Sequence, residues 1–378
     1  MRGEKLSVYL HVPFCSGKCG YCSFYSAVPS AGDIEAYLES LAAELALWRD
    51  RLEAPALRTL YVGGGTPSLL SPGQWRRLIL LLEALGDWGA LEEATVEANP
   101  SSLSGELLEL WRSSFFTRVS LGVQSLEDRE LEALGRRHDS RLARDAMSRV
   151  ARSGLRLAAD LIFGLPGQTI RSWAASLSGV LEAGAEHVSA YQLTLEPNTP
   201  MGVQDPALPD GYPFYRYAQW FLPRRGLIQY EISSFAPAGG ECRHNLAYWR
   251  QEDVLALGPA AWGYLAGRRY ANPGTLDAYI EMAKRGFPDS GRVGETLTPR
   301  ARGVEAAILA LRTRWGVDRA DFAARWGLPL LREVESVLGA LPTRLVRDDG
   351  RSLALTSAGM RVGNAVWAEL LNLEDDKA

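Results

Sequence analysis

Nowhere do the 378 residues contain an apolar run long enough to cross a bilayer, so a helical membrane span is not expected. The opening stretch MRGEKLSVYLHVPFC has two early cations but no separate apolar core or small-residue cleavage site. Its apolar and polar positions alternate as in a strand, so no signal peptide is expected and the chain reads as cytoplasmic and soluble. An excess of one charge is missing as well. The 45 acidic and 41 basic residues leave a formal charge of -4, too little for a global field that gathers nucleic acid or anionic lipid. Cysteine is scarce: four residues in a cytosolic-looking chain argue against a disulfide framework. Three of the four crowd into the stretch from Cys15 to Cys22, while Cys242 stands alone.

The length suits a main domain of about 200 to 300 residues with an appendage. Residues 6–12 alternate, with Leu6, Val8, Leu10 and Val12 on one face and Ser7, Tyr9 and His11 on the other. From Asp33 the residues Ile34, Tyr37, Leu38, Leu41, Leu45, Trp48 and Leu52 recur at helical spacing. The alternation continues with strands expected near Thr59–Val62, Ala94–Glu97, Arg118–Val123, Leu155–Phe163 and His187–Thr194, each followed by a helical stretch. Ser71-Pro72 makes the cap and first turn of one such helix. Six strand–helix units imply parallel strands joined by right-handed crossovers, in a barrel or an open sheet. Glycine-rich and polar segments follow the strands directly: Gly63 to Pro67, Asn99-Pro100, Gln124-Ser125 and Gly164 to Gly167. In parallel α/β folds that edge binds ligands.

After about residue 205 the sequence becomes aromatic and loop-rich. Thr298-Pro299 opens a helix over Ala301–Arg314, and the tail continues as helix, a hairpin over Leu345–Leu355 around Asp348-Asp349-Gly350, and a final helix. That order suits a small winged-helix-like module, and without a basic recognition stripe no nucleic-acid partner is expected. The reading therefore divides the chain into residues 1–205, 206–296 and 297–378.

Cys15, Cys19 and Cys22 have spacings of four and three. Three soft thiolates at this pitch favour an iron–sulfur cluster or zinc over hard cations. Zinc stays open as the plainer alternative, although a closed tetrahedral set needs a fourth ligand and the nearest histidine, His11, lies on the preceding strand. Three cysteines on a cubane leave one iron without a protein ligand. Gly63, Gly64 and Gly65 lack Cβ atoms, which lets backbone N–H groups approach an anionic ligand, although a plain turn explains them equally well.

The CxxxCxxC loop after a first strand, followed by Gly-Gly-Gly-Thr-Pro after a second, resembles the radical S-adenosylmethionine (SAM) family. Six stretches in order, Val8–Cys15, Tyr61–Pro67, Val96–Pro100, Ser120–Ser125, Ala159–Pro166 and Arg243–Trp249, resemble its coproporphyrinogen-dehydrogenase-like branch, and within that the HemW-type haem chaperones. The resemblance implies a partial (β/α)6 TIM-type barrel with a C-terminal winged-helix-like module. It also implies a 4Fe-4S cluster on the three cysteines, SAM chelated at the free iron, and haem. Matched position by position, the SAM contacts fall on Tyr9, Tyr21, Gly64, Gly65, Thr66, Glu97, Gln124, Arg136 and Asp160. Arg136 could equally be an exposed helix end, and each of the others could be ordinary structure.

The dehydrogenases resemble CxxxCxxCxC, but this chain has Phe24 in place of the fourth cysteine. A haem chaperone that transfers haem to an acceptor protein is therefore the first reading. An active dehydrogenase or methyltransferase of the same branch is the alternative. Ser23 stands where the family usually has Asp, and Ala260-Ala-Trp262 where relatives read Gly-Ala-His. His244 and Cys242 are the haem-ligand candidates, since imidazole and thiolate both serve as axial ligands; a hydrogen-bonded structural His and a small buried Cys are the plain readings. His138 and His187 look peripheral and are assigned nothing. The implied partners are a haem acceptor, including one met transiently at a membrane, and, if the chain is catalytic, a one-electron donor such as flavodoxin or ferredoxin.

Overall fold

The computed structural model describes residues 6–52, 55–288 and 291–375; the early cations read above lie outside them. Strands β1 (Leu6–Val12), β2 (Leu57–Gly64), β3 (Glu93–Ala98), β4 (Arg118–Gln124), β5 (Arg156–Phe163) and β6 (His187–Gln192) pair in sequence order, every neighbour parallel. Each crossover carries helix, and the helices cover one face of the sheet. Trp75, Trp111 and Trp173 are fully buried against it. The start signals read from the sequence are present: Ser71 accepts from Gln74 N, and Gln74 answers on Ser71 N.

The segment read as loop-rich is in fact built from short strands that extend both edges of the sheet. β7 (Ile228–Gln229) and β8 (Ser234–Ala236) continue it antiparallel beyond β6. On the other side β9 (Val254–Leu257) joins β1 in parallel, so the parallel run has seven strands rather than six. β10 (Trp262–Leu265), β11 (Arg268–Ala271) and β12 (Val293–Thr296) follow antiparallel. The order runs from β12 to β7 without pairing of those two ends, so the barrel is partial. Two to four residues per strand are too few for periodicity to reveal.

This second edge is tied to the helix Asp33–Arg51 by one buried carboxylate. Glu44, 0% exposed, accepts from Gly258 N at 2.9 Å, Asn272 Nδ2 at 2.7 Å, Tyr279 OH at 2.8 Å and Arg292 Nη2 at 3.1 Å. Trp262 is exposed at the start of β10.

The C-terminal residues form a second apolar core around Val304, Leu311, Phe322, Val334 and Leu370. Their helices pack on a three-stranded antiparallel sheet ordered β13 (Val317–Asp318), β15 (Ser352–Leu355), β14 (Val346–Asp348). Among the described residues no helix is long and apolar enough to cross a membrane.

Candidate functional site

At the carboxyl ends of β1 to β6 lies a cavity of about 510 Å³, lined by Cys15, Cys19, Cys22, Tyr9, Tyr21, Gly64, Gly65, Thr66, Glu97, Gln124, Arg136 and Asp160. All twelve cofactor and metal positions read from the sequence thus meet at one surface. A larger groove of about 730 Å³ lies outside, along Asp128–Asp145. It shares Arg136 and Arg137 with the cavity but none of the thiols.

The cysteine loop is clamped from both sides. Cys15 N bonds Ala27 O at 3.0 Å, Gly20 N reaches Leu134 O at 3.3 Å, and Gly20 O accepts from Met201 N at 2.8 Å. Tyr21 packs with Leu134, Leu165 and Met201. The three cysteines are unpaired and part-exposed. Among the described residues no three His, Cys, Asp or Glu side chains converge on a single ion, and all three cysteines of the loop line the cavity. Burial raises the Cys22 thiol. Polar neighbours are in place at the others: Thr66 Oγ1 lies 3.4 Å from Cys15 Sγ and Arg136 Nη1 3.6 Å from Cys19 Sγ. Soft donors with a fixed cation beside them suit an anionic iron–sulfur cluster.

The glycines behave differently from the sequence reading. Of the N–H groups offered above to an anionic ligand, Gly64 N is committed to Glu97 Oε2 at 3.1 Å and Gly65 N to Val12 O at 2.8 Å, and the neighbouring Thr66 N bonds Phe14 O at 2.7 Å. What the missing Cβ atoms provide is close approach. Gly64 sits at φ +105°, where a Cβ would lie 2.4 Å from the His11 ring, and one on Gly65 would lie 2.7 Å from Phe14 O.

Two acids face the cavity. Glu97 accepts from Tyr61 OH at 2.9 Å and from Gly64 N. Burial first, and then the neighbouring Asp160, push its carboxyl up to about 7, against the lowering effect of those bonds. Burial also raises Asp160, opposed by hydrogen bonds from Ser189 and Ser120 and by the Arg136 charge. Gln124 sits at φ +65° where the β4–β5 register shifts, a bulge of the kind that re-aims a side chain. Arg136 donates to Gly122 O at 2.7 Å, and its buried Nε has no partner. It follows the helix Asp128–Ala133, and its side chain turns inward to the thiols.

The haem candidates are elsewhere. His244 and Cys242, 1% and 3% exposed, do not line the cavity. His244 Nδ1 bonds Thr59 Oγ1 at 2.9 Å, and Cys242 donates to Glu93 Oε1 at 3.3 Å beside the buried Glu93–Arg118 pair. Their partners lie near the starts of β2 and β3, at the end of the barrel opposite the ligand edge. His138 and His187, read as peripheral, are also buried, on Val123 O and Tyr230 OH respectively. Sequence reasoning missed Tyr61, Ser120, Tyr191 and Lys18 as part of the site. Tyr61 and Ser120 were already inside quoted motifs, two residues before Gly63 and four before Gln124 respectively.

Residues 9–178 match the Radical SAM superfamily and residues 297–362 the HemN C-terminal domain. The chain is similar to the haem chaperone HemW of Lactococcus lactis, 34% identical over 97% of both chains. It is similar to HemW of Bacillus subtilis, 34% identical over 97% of this chain and 99% of the relative, and to that of Mycobacterium tuberculosis, 36% identical over 98% and 96%. In structure it is similar to coproporphyrinogen III oxidase (HemN) from Escherichia coli, a radical SAM enzyme, with a TM-score of 0.83, 22% identity, and coverage of 97% of this chain and 90% of that one. At that identity the likeness speaks to the fold.

Proposed function

The chain belongs to the radical SAM superfamily, in the family of the haem chaperone HemW, and from that premise we propose that it binds a 4Fe-4S cluster, SAM and haem and passes haem to an acceptor protein. The observation that carries the cofactor reading is the meeting of three thiols, two acids and Arg136 around one cavity. Cys15, Cys19 and Cys22 hold the cluster, which when bound supplies an iron with an exchangeable position.

The chain's own residues do the rest. Arg136 sets a fixed positive charge beside Cys19 and, through Gly122 O, ties it to β4. Gly64 and Gly65 let the end of β2 pack directly against the His11 ring and the Phe14 backbone, which sets the wall beside Cys15. Glu97 and Asp160 would supply negative charge and hydrogen-bond acceptors for the cationic groups and hydroxyls of SAM, and Tyr9 and Tyr21 would supply apolar surface. Phe24, 69% exposed at the cavity rim, stands where the decarboxylating relatives have a thiol, which favours haem handling over porphyrinogen oxidation. The acceptor is a protein partner; an electron carrier enters only if the site turns over.

The test is one oxygen-free preparation. Iron, sulfide and SAM binding should be present and haem titration should saturate stoichiometrically. Replacing the three cysteines together by Ala should remove iron and SAM binding. Zinc in that loop, or a flat haem titration, would end the reading.

A further inference from the structure

The ring of His244 has surroundings that haem ligation does not explain. Its face stacks on Tyr61, with centroids 5.3 Å apart and planes 28° apart, and Tyr248 closes on its edge at 5.2 Å and 83°. Tyr61 is stacked in turn against Tyr9 at 6.3 Å and 29°, and its hydroxyl donates to Glu97 Oε1 at 2.9 Å. Tyr9, Tyr61 and Glu97 line the cavity; His244 lies directly beneath them. An iron ligand needs a path to its nitrogen, and a ring 1% exposed beneath a tyrosine offers none. A shelf needs only a fixed ring, and the Thr59 bond to Nδ1 fixes this one while Nε2 stays buried without a partner. Burial also holds the imidazole neutral, down to about 3, so it adds no positive charge under Glu97.

We infer that His244 is a positioning residue of the SAM cavity: its ring is the shelf that fixes Tyr61, and through the Tyr61 hydroxyl it orients Glu97. This rests on the cavity being the SAM site. It gives the segment Arg243–Trp249 a role toward the cofactor, reached from the far end of the barrel. Besides Tyr61, Glu97 is faced by Gly64 N from β2, Tyr9 from β1, Asp160 from β5 and Tyr191 from β6. Asp160 is the acid whose negative charge, after burial, raises Glu97.

The experiment compares His244→Ala, His244→Phe and Tyr61→Phe in the cluster-loaded chain, by SAM calorimetry across pH and by haem titration. His244→Phe loses the Thr59 bond but keeps a ring packed between Tyr61 and Tyr248, so it should restore most of the SAM affinity that His244→Ala loses and bind haem as the parent does. His244→Ala should weaken SAM about tenfold, the scale on which supporting residues act, and should shift the pH profile of binding as Tyr61→Phe does. The double variant His244→Ala with Tyr61→Phe should be no worse than either single one. If His244→Phe abolishes haem binding and leaves SAM binding intact, the residue is a haem ligand and the shelf is overturned. A folded His244→Ala with parental SAM affinity and pH profile also overturns it. A parent chain with full iron and no SAM binding sinks the cavity reading itself.

Discussion

Glu97 carries the clearest pH signature of the site. Its carboxyl titrates at about 7 in the folded chain against an ordinary 4.5, so across that window the folded state holds more proton than the unfolded one. Stability of the ligand-free chain should therefore fall as pH rises from about 4.5 to 7, the reverse of the salt-bridged carboxylate case. A cationic ligand facing Glu97 prefers the ionised form, so SAM binding should release protons below pH 7 and tighten as pH rises through it, then level off. Glu97→Gln should flatten that rise; calorimetry in buffers of different ionisation enthalpy measures both the slope and the proton release. Gly64 makes a second, steric claim. Gly64→Ala puts a Cβ into the His11 ring at φ +105° and should cost about 1–3 kcal/mol in denaturant unfolding. At this scale the thiols and Glu97 were legible in the sequence because they sit at or just after strand ends, whereas the committed glycine N–H groups depend on partners from other segments. His244 was not, since the ring it supports belongs to a strand more than 180 residues away.

The end of the barrel opposite the ligand edge depends on one buried ion pair. Arg118 on β4 and Glu93 on β3 lie 3.0 Å apart at 2% and 3% side-chain exposure. Glu93 Oε1 accepts from Cys242 and Arg243 N, and Arg118 donates to Gly240 O. Removing one partner strands the other charge, so Arg118→Met should destabilise by about 3–5 kcal/mol, whereas replacing both by apolar residues should cost far less; urea melts of the single and double variants separate the two. The opposite edge carries a smaller strain. Ala260, between β9 and β10, sits at φ +59°, so Ala260→Gly should stabilise by about 0.5–1 kcal/mol, read as a rise in the urea midpoint at constant slope. The six long strands could be read from alternation and from the glycines that end them. The edge strands β7 to β12 could not, because their register comes from partners such as β1 and from the Glu44 network rather than from any local pattern.

The C-terminal module is joined to the barrel through the helix Arg243–Trp249, which carries His244, and the turn after it. Arg312 lies between Trp249 and Trp367, 4.6 Å from each ring. Gln251 Nε2 donates to Arg302 O and to Glu305, and Arg325 donates to the carbonyls of Arg250 and Gln251. The same contact is underpaired: Trp249 Nε1, Gln251 Oε1, Arg312 Nε and Trp367 Nε1 are buried without hydrogen-bond partners, and burial lowers Arg312 from its ordinary range. Such an interface gains from ring packing and loses by desolvation, so it should open at lower free energy than the sheet core. Arg312→Met keeps the aliphatic stem and gives up both cation–ring contacts, each worth about 0.5–2 kcal/mol. Amide exchange in Arg243–Trp249 should then speed up about tenfold or more while β3 to β5 keep their protection. If the module steadies the Tyr61 shelf from behind, the same variant should also loosen SAM binding, and parental affinity alongside faster exchange would show that the two ends of this helix act independently.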